Sequence, residues 1–538
     1  MSSLSINRPK DILGTWKGSD QNLITDPDGI RDSLQDISTD IYLIDHQGQI
    51  VIARGGSFMS GEGSGEGYPV VAYSGAISPS DLGDPEFLSE HGVNSAYMAG
   101  SMANAISGVD LVTAMGESGY LASYGAGGVS PGKLLEAITT IQEKLPSGPY
   151  AFNLIHSPNE PVLEQKAVDL FLEHGVRTIE ASAFLRLTPT VVQYRAAGLE
   201  LDSAGKVLKN NKVIAKLSRP EVAHHFLNPA PDKILRSLVD EGKISSQQAE
   251  LAKMVPMADD ITVEADSGGH TDNRPLVGLL PSITALRNES QEKNGFPQRV
   301  RIGAGGGIST PASVLAAFSM GAAYVVTGSV NQGCLEAGTS AQVKQALAQA
   351  AAPDVMMAPS ADMFEMGVKV QVLKRGTMFP LRSQKLYETY LKYGSIEEIE
   401  PAERKELEEK VFQNDLDVIW QECVKFFTER DPSQLEKTRN NPKRKMALIF
   451  RWYLGLATHW GIQGIPERAL DYQIWCGPSM GAFNDWARGT DLEAVENRKV
   501  VKIADQLMLG AAYQYRLNQL ILGGIKIPFA WERYLGSA

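Results

Sequence analysis

The chain has 538 residues, 43% of them hydrophobic, which is ample for a large buried core. Its formal net charge of −12 repels a phosphate backbone, so nucleic acid is not expected as a partner. Cys334, Cys423 and Cys476 stand far apart, match no metal-ligand spacing and read as reduced thiols of a cytoplasmic protein.

Residues 1–10 are polar and carry no secretory signal, and residues 1–40 show no clear period. Two apolar runs, Tyr42-Leu43-Ile44 and Ile50-Val51-Ile52-Ala53, flank a turn-forming stretch and predict a hairpin. The Gly/Glu/Ser run over 61–67 lacks the lysine and following helix of a phosphate loop, so it reads as a linker before a short strand at 69–74. Residues 1–93 thus predict a small β-rich segment.

From about residue 94 short apolar runs alternate with amphipathic ones. Strands are predicted at 95–99, 120–124, 150–155, 178–181, 212–217, 260–265, 300–304 and 323–327. Helices are predicted at 109–117, 131–144, 160–174, 188–197, 276–287 and 311–320, with a charged helical hairpin over 232–253 inside an insertion at about 228–257. Eight such repeats predict the α/β class and a (β/α)₈ TIM barrel over 94–355. Residues 356–538 predict an α-helical extension. Its apolar stripe Leu416, Ile419, Trp420, Val424 and Phe427 marks one helix face, and 500–522 behaves alike. The extension suits a lid, a docking surface or an oligomer interface, a homodimer being possible. The apolar stretch 447–462 contains Arg451 and His459 and is too short and polar to span a bilayer, so no membrane span is expected.

In such a barrel, chemistry sits just beyond the strands at one mouth. Asn153, Glu180, Lys216, Glu264, Asp266 and His270 fall near or just after the ends of successive strands. Gly303-Ala304-Gly305-Gly306-Gly307-Ile308 follows strand seven and Thr327-Gly328-Ser329 follows strand eight. Either alone is equally a plain glycine turn. Together, at those two positions, they predict a phosphate cradle of backbone N–H groups. Ser309 or Thr310 is placed to cap the helix that begins near Pro311. Gly268 and Gly269 let a loop lie against a flat ligand beside His270, although a lone histidine is often structural. Ala99, Gly100, Ser101 and Met102 end strand one and suit a loop against a ring, weakly on their own.

These segments carry a resemblance. Asn153-Leu154-Ile155-His156-Ser157-Pro158-Asn159-Glu160-Pro161, Glu180-Ala181-Ser182-Ala183-Phe184, Ala215-Lys216-Leu217-Ser218-Arg219-Pro220 and the run over 258–275 resemble the PfaD family of polyunsaturated fatty-acid and polyketide synthases. So do the 305–308 loop, 327–339 and Asp362-Met363-Phe364-Glu365-Met366-Gly367. That family is related to flavin enoyl reductases and nitronate monooxygenases. The resemblance implies an FMN-binding barrel reduced by NAD(P)H. Ala99, Gly100, Ser101 and Met102 would face the flavin, Asn153 and Lys216 would bond its ring or ribityl region, Gly268 and Gly269 would flank it, and Gly305, Gly306, Gly307, Gly328 and Ser329 would hold its phosphate. His270 matches the family's active-site histidine, as proton donor or substrate-orienting group, and no metal is implied.

The expected reaction is NAD(P)H-driven reduction of a 2-enoyl thioester carried on the phosphopantetheine arm of an acyl carrier protein or synthase. Lys443, Arg444 and Lys445, with Arg439 and Arg451 near, form one docking patch for an acidic carrier, or else an ordinary solvated charge run. The rivals are a nitronate monooxygenase-type flavin oxidase and a non-catalytic synthase assembly subunit.

Overall fold

The computed structural model describes residues 3–6, 12–61, 67–158 and 161–534. Residues 62–66 of the predicted 61–67 linker and the pair Asn159 and Glu160 lie outside the described residues.

The N-terminal segment forms a six-stranded antiparallel sheet, in the order Leu23–Ile24, Gln49–Arg54, Ile41–His46, Tyr68–Ser74, Gly14–Lys17, Ser57–Ser60. The hairpin read from the sequence is there. Gln47 and Gly48 both take positive φ (55° and 83°), which the tight two-residue turn between His46 and Gln49 requires.

Eight parallel strands then close a barrel: β1 (Tyr97–Ala99), β2 (Leu121–Tyr124), β3 (Ala151–Ile155), β4 (Thr178–Ser182), β5 (Lys212–Leu217), β6 (Asp260–Glu264), β7 (Arg301–Gly305) and β8 (Val325–Thr327). The first seven are followed by α1 (Val109–Glu117), α2 (Pro131–Lys144), α3 (Pro161–Glu173), α4 (Pro189–Ala197), α5 (Pro220–Leu227), α6 (Leu276–Asn294) and α7 (Pro311–Ser319). The charged insertion is the expected helical hairpin, Asp232–Asp240 and Ser246–Ala252. Helix Pro85–His91 plugs the N-terminal end of the barrel. Phe87 stacks on Tyr324 at 4.3 Å between ring centroids, and His91 Nε2 lies 2.9 Å from Asp260 Oδ2, while Arg301 Nε donates to Asp260 Oδ1 at 2.6 Å. Gly303 is glycine because a Cβ there would lie 2.4 Å from the Tyr324 ring. With this floor filled, the open end is the C-terminal mouth.

The C-terminal region differs from a simple helical extension in two ways. It opens with strands: Val355–Pro359 pairs with Lys369–Leu373, which pairs with Gly269–His270 from the loop after β6. And Val500–Leu522, here α8, packs against α7 and α1, in the slot of the eighth barrel helix. Residues 328–499 are therefore inserted between β8 and α8. Within them Phe379–Lys392, Pro401–Leu407, Leu416–Arg430 and Pro442–Gln463 share a core that includes Leu386, Ile419, Phe450 and Tyr453. The apolar stretch around 447–462 is a mostly buried helix, and no helix among the described residues is long and apolar enough to cross a membrane.

The predicted docking patch is corrected here. Lys443 Nζ donates to the carbonyls of Tyr390 and Tyr393, Arg444 pairs with Glu365, Lys445 Nζ lies 3.0 Å from Glu397 and Arg451 is 3.6 Å from Glu365. Desolvation at a helix–helix seam makes such cations bind neighbouring carbonyls and carboxylates rather than await a partner, so these four tie the helical insertion together.

Arg516 of α8 joins the barrel to the N-terminal sheet. Its fully buried guanidinium donates to the carbonyls of Asp36 and Thr39 (both 2.7 Å), Gly75 (3.1 Å) and Ile37 (3.2 Å). Burial, the main cause, lowers its pKa. Arg516→Met leaves those carbonyls unpaired, at about 1–3 kcal/mol for each one that water cannot reach. Amide exchange in Ile41–His46 should quicken by at least about thirtyfold, or roughly 2 kcal/mol; unchanged protection would show that the arginine does not anchor the sheet.

Candidate active site

Backbone strain gathers at the mouth. Among the described residues, six non-glycine residues have positive φ, and four of them lie in loops after barrel strands: Asn104 and Ala105 after β1, Ala183 after β4 and Asn273 after β6. Such conformations cost about 1–3 kcal/mol each and persist where surrounding structure enforces them, often at functional sites.

Glu180, Lys216 and Glu264 bring three charges together from adjacent strands β4, β5 and β6. Lys216 Nζ lies 4.0 Å from Glu180 Oε1 and 3.7 Å from Glu264 Oε1. Burial disfavours the ammonium, yet the two carboxylates outweigh it and raise the lysine's pKa. Burial is also the main reason that Glu264 is raised, with Lys216 opposing it. Glu180 is fully buried. Its Oε2 accepts the Ser101 N–H at 2.9 Å, and its Oε1 has no hydrogen-bond donor.

His270 is set by the post-barrel strand. Gly269 and His270 pair with Gln371 and Val370, while Gln371 Nε2 donates to Asp266 Oδ1 and to the Ser267 carbonyl, both at 2.8 Å. His270 Nε2 lies 3.2 Å from Asp362 Oδ1 and 3.1 Å from Ser360 Oγ, and Ser360 donates to the same carboxylate oxygen. Burial works against the imidazolium, but the Asp362 hydrogen bond and charge prevail and raise the pKa of His270. Asp362, despite burial, is pulled down to about 2 by His270. The arrangement is a carboxylate-held imidazole poised to carry a proton.

The glycine turns after β7 and β8 are neighbours, because Gly305 pairs with Val326 in the barrel register. Gly306 and Gly307 take φ of 81° and 76°. A Cβ on Gly306 would meet the Ala265 carbonyl carbon at 2.6 Å, whereas one on Gly307 or Gly328 would meet nothing within 4 Å. The N–H groups of Gly306, Gly307, Gly328 and Ser329 make no hydrogen bond among the described residues. Thr310 caps α7 as the sequence predicts, accepting the Ser313 N–H.

Not every predicted residue faces this mouth. The Ala99 side chain is fully buried in the core outside the strands, and Gly100 points into the lumen, where a Cβ would lie 2.8 Å from Val326 Cγ1. Ser101 has its N–H taken by Glu180, and Met102 has its N–H taken by Ser107 Oγ at 2.8 Å. Gly268 is a packing glycine: a Cβ would lie 2.9 Å from the Cys476 nitrogen, so its closeness is to backbone rather than to an open site, while at Gly269 the same position is open. Asn153 Nδ2 donates to the Glu180 carbonyl and to Ser182 Oγ, leaving Oδ1 as its offer to a ligand. Ser329 Oγ accepts the Gly477 N–H at 3.1 Å.

Sequence reasoning missed Ser360, Gln371 and Gly477, which reach the mouth from the insertion, and assigned no role to Asp362. It also missed the pair His156 Nδ1 and Glu164 Oε2, 2.8 Å apart, with Glu164 further held by Thr188 and Thr190. His156 follows β3 immediately, and that placement was the available signal.

The nitronate monooxygenase family description matches residues 89–389, more than half of the chain. The N-terminal domain of the fatty acid synthase protein PfaD matches 16–74. The chain is a PfaD-type member of the nitronate monooxygenase family. The inserted helical domain of [acyl-carrier-protein] S-malonyltransferase matches 393–472, within the helical insertion. The chain is 51% identical over 447 residues to a polyunsaturated fatty acid synthase polypeptide of Thraustochytrium sp., covering 82% of this chain and 30% of that protein. It is 44% identical to the polyketide biosynthesis protein PksE of Bacillus subtilis, covering 81% and 57%. The chain thus spans from about a third to somewhat over half the length of these two relatives. Among solved structures, the enoyl reductase domain of MlnA from the macrolactin biosynthesis cluster of Bacillus amyloliquefaciens shares 38% identity at a TM-score of 0.78, covering 82% of this chain and 99% of that one.

Replacing Asp362 with Asn removes the charge that favours imidazolium. The His270 titration, followed by NMR of its ring nitrogens, should move to lower pH; a midpoint that stays or rises would reject the pairing.

Proposed function

We propose that this PfaD-type protein is an FMN-dependent enoyl reductase that uses NAD(P)H to reduce the α,β double bond of 2-enoyl thioesters on the carrier proteins of a fatty-acid or polyketide synthase. The observation that carries the reading is the meeting, at one mouth, of unpaired glycine N–H groups, an ammonium and a carboxylate-held histidine. The residues fit the cofactor: neighbouring glycine turns with unbonded N–H groups, open in front of Gly307 and Gly328, suit a terminal phosphate, Asn153 Oδ1 offers an acceptor, and Lys216 offers a cation to a ring that becomes anionic on reduction. FMN, when bound, supplies hydride transfer from NAD(P)H to the β-carbon. Lys216 is kept charged by Glu180 and Glu264. His270, protonated and oriented by Asp362 and Ser360, delivers the proton to the α-carbon. The filled barrel floor limits water to the mouth side. The enoyl reductase domain at 38% identity supports this reaction over others on the same barrel.

The family match also favours a second reading, a flavin oxidase using O₂. Purified protein mixed with FMN and bleached by NADPH separates the two. Rapid recovery of colour with an enoyl thioester and slow recovery in air supports the reductase, whereas rapid recovery in air alone supports the oxidase. Protein that stays colourless with FMN would leave a synthase assembly role. Gly307→Ala puts a methyl into the cradle and forces a side chain onto φ of 76°, so FMN binding should weaken at least about tenfold, or 1.4 kcal/mol; unchanged affinity would remove this loop from the phosphate site.

A further inference from the structure

The loop 360–368, between strands Val355–Pro359 and Lys369–Leu373, is held on two sides. Towards the barrel, Ser360 and Asp362 meet Nε2 of His270. Away from it, the same loop is fastened into the helical insertion. Phe364 is fully buried and packs on Tyr390 and Tyr387 of helix Phe379–Lys392, at 5.2 and 5.5 Å between ring centroids. It also packs on Phe450 of helix Pro442–Gln463 at 6.3 Å. Glu365 accepts from Arg444 Nη1 and lies 3.6 Å from Arg451 Nη1. These arginines stand about two turns apart on helix Pro442–Gln463, so one face of that helix brings both to one carboxylate. Arg444 Nη2 donates to Gln434 Oε1 at 2.6 Å. The side chains of Glu365, Arg444 and Arg451 are only 17–20% exposed, and removing one partner from such a desolvated group leaves the others uncompensated.

Three charged groups act on His270: Lys216 from β5, Glu264 from β6 and Asp362 from this loop. The first two are fixed to barrel strands. Asp362 comes from outside the barrel, three residues before Glu365, and its place depends on how the loop is held. A loop left to its own conformational entropy would not keep a carboxylate oxygen 3.2 Å from one ring nitrogen. We infer that Glu365 is a positioning residue for the reaction: clamped by Arg444 and Arg451, it holds Asp362 against His270, so the helical insertion governs the proton on the barrel's histidine. This rests on the reductase reading for the use made of the proton, but the clamp itself is read from the titration of His270, which needs no turnover. The sign of the charges separates a clamp from a simple field. A cation disfavours imidazolium, so deleting Arg444 would by its field alone move the His270 midpoint up, whereas release of Asp362 moves it down.

The test uses the full chain treated with FMN and follows the ring nitrogens of His270 by NMR across pH. Arg444→Met and Glu365→Ala should each move its midpoint to lower pH, and neither should move it further in a chain that already carries Asp362→Asn. Glu365→Gln, which still accepts from Arg444, should recover part of the fall. Lys445→Met releases Glu397, which is not on this loop, and should leave the midpoint in place. In turnover of an enoyl thioester, Glu365→Ala should lower kcat at least about threefold above neutral pH and keep KM. That loss should narrow below pH 6.5, the ordinary histidine value, where the ring is protonated without help. A midpoint that Arg444→Met leaves or raises, a fall that persists undiminished beside Asp362→Asn, or an equal fall from Lys445→Met would overturn the proposal. The expected titrations in a chain that reduces no enoyl thioester would instead sink the reductase reading and leave the clamp standing.

Discussion

A Cβ on Gly510 of α8 would lie 2.5 Å from the ring of Pro311, the first residue of α7. That close approach seats the last helix in the barrel wall, and the rest of the molecule is arranged around it. The chain leaves the barrel after β8 and must return to this slot, so residues 328–499 begin and end on the same scaffold. A detour tethered at both ends has little choice but to lie over the adjacent mouth. It supplies the strand that pairs with Gly269 and His270, the Asp362 carboxylate and the Gly477 N–H on Ser329. The same helix carries Arg516 into the N-terminal sheet, so one element locks barrel, insertion and sheet together.

The mouth is a balance of charges, fully buried at Glu180 and partly open at His270 and Asp362. One ammonium lies between two carboxylates, and one imidazole lies against a third. Desolvation penalises each charge alone, and partners from adjacent strands offset it. Glu180 is held in place by the Ser101 N–H, which fixes the β1 loop as well. The residues after β1 therefore act on the site chiefly through their backbone.

Much of this was legible in the sequence, because a barrel repeats one signal eight times. Lys212–Leu217, Val109–Glu117 and Pro131–Lys144 stand where the pattern placed them. Glu180, Lys216, Glu264 and His270 were singled out because strand ends are the positions a barrel reserves for chemistry, and the structure brings the first three together. Periodicity reveals neighbours along the chain, and it fails across a long excursion. Nothing local tells α8 that its partners are α7 and α1. Strands Val355–Pro359 and Lys369–Leu373 are brief, and they are given a partner by a loop from far upstream. The glycines show the same limit. Gly307 and Gly328 front open space while Gly268 is pressed against Cys476, and composition cannot distinguish an approach to a ligand from an approach to backbone.

Two histidines follow barrel strands, and their settings assign them different work. His156 is clamped to Glu164, itself fixed by two threonines at the start of α4, and it stacks on Phe184 at 5.2 Å. Those bonds join α3, α4 and the β3 loop, which is the work of a brace. His270 instead sits on a two-residue strand with its ring partly open, and it meets Asp362 and Ser360 through Nε2. The stability of that pair follows from the shifts. A raised histidine contributes fully below its ordinary pKa of 6.5 and loses the contribution as pH climbs through its raised value. A depressed aspartate contributes above 3.8 and loses it as pH falls through about 2. Between those limits the charged pair is the favoured form, and the loop between the two post-barrel strands, which carries Asp362, keeps the imidazole protonated.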